Sequence, residues 1–241
     1  MSTSTSRTSP AQVEEGAIVA TSSVKAQGWL VILLVFVAGA TSLAVEMAAS
    51  RLLAPYFGSS IFVWANLIGL ILLYLTLGYY LGGLLADRFP RPWVLYLLTT
   101  IDAVLILVLP FWSHPVLSWA LYTFTNGAYS DFYGSLVAVL LLFSVPMILL
   151  GCVAPYAIRL RVERVGKSGH ISGQVYALST AGSIVGTFLP VLVLMPDIGT
   201  NLTFIVFAVA QLLVSIVGLF VSRTADDQST ATNTQVEAQN T

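Results

Sequence analysis

Six runs of apolar residues, each about as long as a bilayer is thick, constrain this chain more than any other feature. A helix needs about 20 such residues to cross the hydrocarbon. Residues 29–49, 61–86, 93–112, 134–157, 173–195 and 201–222 meet that length, the third being the shortest and ending near Pro110. In lipid a spanning segment must satisfy its own backbone hydrogen bonds, which a helix does. The expected fold is therefore all-α, a polytopic six-helix transmembrane bundle of residues 29–222 in a cell (inner or plasma) membrane. Residues 1–28 and 223–241 are rich in small polar residues and read as a disordered leader and tail. The first apolar run is too long for the core of a signal peptide, so it counts as a membrane helix.

Composition agrees. Hydrophobic residues make up 57% of the chain and charged residues 9%, where a soluble domain carries roughly 25% charged residues. The 10 basic and 11 acidic side chains nearly cancel, so no basic excess points to nucleic acid. Cys152 is the single cysteine, and His114 and His170 fall apart from one another in predicted loops. Neither a disulfide nor a metal site follows. Phosphate loops, serine elbows and zinc motifs are missing too, so no cofactor and no catalytic residue is expected.

Orientation follows from the basic residues, which gather on the cytosolic side of short loops. With the N-terminus inside, that side holds Arg7, Lys25, Arg88, Arg91, Arg159, Arg161, Arg164, Lys167 and Arg223, and Arg51 alone lies outside. An odd number of spans would break this segregation. Both termini are thus expected in the cytosol. The longest outer loop, residues 113–133, carries Trp119, Tyr122, Tyr129, Phe132 and Tyr133. It reads as an aromatic belt at the membrane surface, or as a lid over an outer cavity.

A charge inside a span costs about 2.5–3.5 kcal/mol on insertion scales, so each one asks for a reason. Asp102 falls in the middle of the third span beside Thr99 and Thr100, with no Lys or Arg in the hydrophobic core to neutralise it. It is carried neutral, faces a wet cavity or binds a cation; the plainer alternative is a hydrogen bond to a Ser, Thr or Tyr on a neighbouring helix. Glu46 lies near the outer end of the first span and Arg51 five residues on. The two form either a bridge that caps the bundle or part of an outer binding site.

Small residues four apart let membrane helices approach closely. Gly78, Gly82 and Gly83 in the second span and Gly182 and Gly186 in the fifth have that spacing, with Ser179 and Ser183 in parallel. They read as packing residues. Pro146, Pro155 and Pro190 each remove a backbone donor within a span and can kink it. At the inner end of the second span, GLLADRFPR from Gly83 resembles the loop motif of the major facilitator transporters, with Pro90 where that motif has a second glycine. The resemblance implies that Asp87, Arg88 and Arg91 latch the inner face.

Three stretches resemble one family together. EMAASRLLAPYFGSS from Glu46 runs on through Trp64 to LGYYLGG at Leu77; PMILLGCVAPYAIRL begins at Pro146; GQVYALSTAGSIVG begins at Gly173 and is followed by PDIG at Pro196. They look like the membrane region of the fused major-facilitator-like/spermidine synthases, over roughly residues 29 to 222. In that family a soluble aminopropyltransferase-like domain commonly follows and supplies the catalytic site. No stretch of this sequence reads as such a domain, so this polypeptide is not expected to transfer an aminopropyl group by itself.

Two functions follow as expectations. In the first, the protein handles or transports a small solute such as a polyamine, a flexible polycation that carboxylates and aromatic faces would hold. Asp102 and Glu46 supply acid, and Tyr56, Trp64 and Tyr74 supply walls, with Arg51 at the outer rim. Six helices equal half of a twelve-helix facilitator, so a homodimer is expected. In the second, the protein anchors a separately encoded soluble aminopropyltransferase-like partner at the bilayer, through the basic residues of loop 159–167.

Overall fold

The computed structural model describes residues 10–124, 130–162 and 168–240, with side chains described for 28–124, 130–162 and 168–224. Among these residues the secondary structure is helical throughout: α1 (Pro10–Phe57), α2 (Ile61–Arg88), α3 (Pro92–Phe124), α4 (Ser130–Arg161), α5 (Ser168–Leu189), a π-helical turn (Pro190–Leu194) and α6 (Met195–Asn240). Helix α1 begins well before the apolar run and α6 continues well past it.

Local chemistry sets the breaks. After α1 the chain turns through Gly58 at φ +72°, a backbone that glycine adopts without a Cβ penalty. Ser60 then caps α2, its hydroxyl accepting from the Val63 amide at 3.4 Å. Pro190 opens the π-turn, and the Met195 amide reaches back to the Pro190 carbonyl. Proline cannot donate into the preceding turn, and a widened turn absorbs the defect without a break.

Five helices are long and apolar enough to cross a membrane when the unbroken helical path 168–224 is counted once, as a segment of 57 residues. A straight helix of that length would measure about 86 Å, nearly three times the hydrocarbon thickness. The path is not straight. Gly199 sits at φ +82° and ψ 171° inside α6, and beyond it the chain runs back. Gln211, Ser215 and Gly218 meet Asp102, Thr99 and Tyr96 in turn, so α6 is antiparallel to α3. Helix α5 instead runs parallel to α1, with Ser179 and Gly186 against Gly39 and Ala40.

The packing repeats itself. Helices α1 and α5 cross closely because Gly182 and Gly186 bring α5 onto the backbone of Phe36 and Ala40, while Gly39 brings α1 onto Ser179. Helices α2 and α4 cross in the same manner. Gly78 and Gly82 bring α2 onto Ile148 and Cys152, and Gly151 brings α4 onto Leu75. The residue spacings in the two crossings are identical. Exchanging α1, α2 and α3 for α4, α5 and α6 maps α1·α5 onto α4·α2 and α3·α4 onto α6·α1, and returns α3·α6 to itself. The main helix pairings thus keep their pattern when the first three helices are exchanged for the last three.

Two expectations need correction here. Residues 113–124 and 130–133 are not loop: α3 carries both Pro110 and Pro115 within it and continues to Phe124, and α4 starts at Ser130. Neighbouring helices and hydroxyls can re-satisfy backbone groups freed by proline in such a bundle. The Ser113 hydroxyl donates to the Pro110 carbonyl at 3.0 Å. His114 is therefore helical, as is His170 in α5, and only residues 125–129 of the expected loop lie outside the described residues. Trp112, Trp119 and Tyr122 lie exposed on α3.

Candidate functional site

The most deeply buried charge-bearing group is Asp102, with no exposed surface. It lies on α3 in the seam with α6. The Gln211 side-chain amide donates to Asp102 Oδ2 at 2.6 Å and lies 3.4 Å from the Thr99 carbonyl. One helical turn away the Ser215 hydroxyl donates to Thr99 Oγ1 at 2.8 Å. Asp102 Oδ1 and Gln211 Oε1 have no partner. The seam is closed by the Tyr96 ring, which lies on the bare backbone of Gly218. Asp102 thus joins two helices by an interhelical hydrogen bond, and its partner is a glutamine, which the sequence reading did not single out.

The other five residues expected beside Asp102 are dispersed. Tyr74 is buried on α2 with its hydroxyl unpartnered. Trp64 is exposed on the same helix. The Tyr56 hydroxyl meets His114 Nδ1 at 2.6 Å, tying the end of α1 to α3. Glu46 is half-buried on α1, and Arg51 is exposed. No bridge forms between Glu46 and Arg51: the ion pair found among the described residues is Arg159 Nε to Asp87 Oδ1, at 2.9 Å. Five residues along a helix place Glu46 and Arg51 on different faces.

That ion pair also revises the inner latch. Asp87 at the end of α2 reaches Arg159 at the end of α4, while Arg88 lies over the Phe89 ring at 5.9 Å and Arg91 is exposed. The Tyr156 hydroxyl reinforces this joint by donating to the carbonyls of Phe89 and Arg91. Arg88, Arg91, Arg159 and Arg161 thereby gather at one end of the bundle.

Two cavities are described, and neither is lined by the six expected residues. The first, of about 90 Å³, lies where α1, α2, α4 and α5 meet, between the two glycine crossings. The hydroxyl-bearing residues Ser42, Tyr79, Ser179 and Ser183 stand among the aliphatic residues that line it. The Ser183 hydroxyl donates to the Gly39 carbonyl at 3.1 Å. Those of Ser42, Tyr79 and Ser179 have no hydrogen-bond partner among the described residues. Glu46 follows Ser42 by four residues, one turn further along the same face of α1. The second cavity, of about 450 Å³, opens at the basic end between α1 and α5 and shares Val35 with the first. The sequence reading missed Ser42 and Tyr79. Only the pairing of α1 with α5 and of α2 with α4 brings them together.

No group of three or more His, Cys, Asp or Glu side chains is placed to hold a metal ion among the described residues. No family model matches the chain, and no curated protein or solved structure was found to be similar to it.

Proposed function

We propose that the protein is a six-span membrane protein, of the fused major-facilitator-like/spermidine synthase type, that handles or transports a small cationic solute such as a polyamine. The reversal at Gly199 supports the sixth span. The basic side chains at one end support a cytosolic placement of that end and of both termini. Two three-helix units whose pairings exchange in this way have opposite directions in a bilayer. Inverted repeats of this kind place a transporter's solute site near the midplane, at the repeat interface.

The observation that carries the reading is the hydroxyl-lined cavity at that interface. Hydroxyl groups beside a cavity can hydrogen-bond a polar guest or water. The half-buried Glu46 carboxylate one turn away offers the charge complement of an ammonium group. In this reading Glu46 and Tyr79 face the solute, whereas Asp102 holds α3 to α6. A second copy stands where a twelve-helix facilitator has its second half.

Uptake of spermidine into proteoliposomes tests it. Wild type should show saturable uptake, Glu46→Gln should lose most of it, and Asp102→Asn should keep it. Absence of uptake by correctly folded wild type would remove the transport reading. Uptake lost in Asp102→Asn and retained in Glu46→Gln would move the solute path to the α3–α6 seam.

A further inference from the structure

The larger cavity has a composition unlike that of the hydroxyl-lined one. Its walls are the aliphatic side chains of Val31, Ile32, Val35, Val175 and Leu178, and one cation stands at its rim, Arg161. Arg161 is half-buried, and no carboxylate pairs with it among the described residues, since the nearby Asp87 is held by Arg159. Gln174 beside it is occupied with His170, at 3.0 Å between the two side-chain nitrogens. An apolar trough that ends in a half-buried guanidinium has two requirements. The trough needs hydrocarbon, and the cation needs an anion with oxygens in fork geometry.

We infer that this groove between α1 and α5 binds an anionic phospholipid, with an acyl chain along Val31, Val35, Val175 and Leu178 and the phosphate on Arg161. A zwitterionic lipid would bring its own cation to the rim and gain less. The location fits, because basic pockets between helices on the cytoplasmic side of a membrane meet anionic headgroups there. Val35 lines both cavities, so the end of the bound chain abuts the wall of the hydroxyl-lined one. The inference rests on the membrane-spanning reading and not on transport.

Native mass spectrometry of the purified full chain tests it, with phosphatidylglycerol and phosphatidylcholine of identical acyl chains added from neutral detergent. One arginine near the surface gives about a fivefold preference for the anionic lipid. Wild type should show that preference, Arg161→Lys should keep part of it, and Arg161→Gln should abolish it. Ala177→Phe, which fills the groove from its exposed side, should weaken both lipids. Four results would overturn the inference: no headgroup preference in wild type, a preference that survives in Arg161→Gln, undiminished binding to Ala177→Phe, or glycerol 3-phosphate binding as tightly as the lipid.

Discussion

The seam between α3 and α6 and the crossing between α1 and α5 solve one problem in opposite ways. In the proposed bilayer setting both must hold helices together where lipid competes equally well for apolar surface. The α3–α6 seam uses polar side chains, with Gln211 on Asp102 and Ser215 on Thr99, and leaves no cavity described there. The α1–α5 crossing uses missing side chains. Gly39, Gly182 and Gly186 bring the two backbones together, and cavities remain on either side of the contact. Polar bonds fix a seam at one register, while glycine contacts leave space beside the crossing. The proposed solute site lies at the second kind of contact.

Bulk on the glycine crossing gives the sharpest break of this comparison. Gly182→Leu drives a side chain into the Phe36 carbonyl and should destabilise the bundle by about 3 kcal/mol or more. Gly83→Leu enters open space and should stay within about 0.5 kcal/mol. Thermal denaturation in detergent reads both, and equal losses would show that the crossing is not special.

Cutting the polar seam comes next. Asp102→Ala leaves the Gln211 amide buried without its acceptor and should cost about 1–3 kcal/mol. Adding Gln211→Ala should restore part of that, because the two side chains act as a unit. Strictly additive losses in the double-mutant cycle would mean that the pair does not couple. At the basic end, Tyr156→Phe removes the hydroxyl that donates to Phe89 and Arg91 and should cost about 1 kcal/mol by the same assay. The Asp87–Arg159 pair comes last. Its side chains are 72% and 50% exposed, so Asp87→Asn should change stability by about 0–1 kcal/mol, an effect that fades with added salt.

The apolar runs made the helical class legible, because they are as long as a membrane-crossing helix must be. They did not make the third helix legible at its end. Pro110 and Pro115 look like a stop, and only the bundle around them shows that α3 passes through. The glycines of α2 and α5 were readable by spacing, but Gly39 and Gly218, with no second glycine four residues away, carried no such signal. Gln211 was missed for a related reason. An uncharged amide barely lowers the hydropathy of a span, so it stays inconspicuous until Asp102 is seen opposite. Ser42 and Tyr79 were hidden more completely, since nothing along the chain reveals that α1 meets α5 and α2 meets α4.

In the proposed bilayer setting, the order in which these partners are made has its own consequence. Helix α1 waits for α5 and α2 waits for α4, so the first half of the chain leaves the ribosome before its counterpart exists. A nascent chain that has reached only α3 presents bare glycine faces to lipid, and Asp102 has no amide to meet. The first three helices therefore cannot mature alone in the membrane. They must be retained near the site of insertion until the second half arrives, and a chain truncated after α3 should be cleared by membrane proteases rather than accumulate.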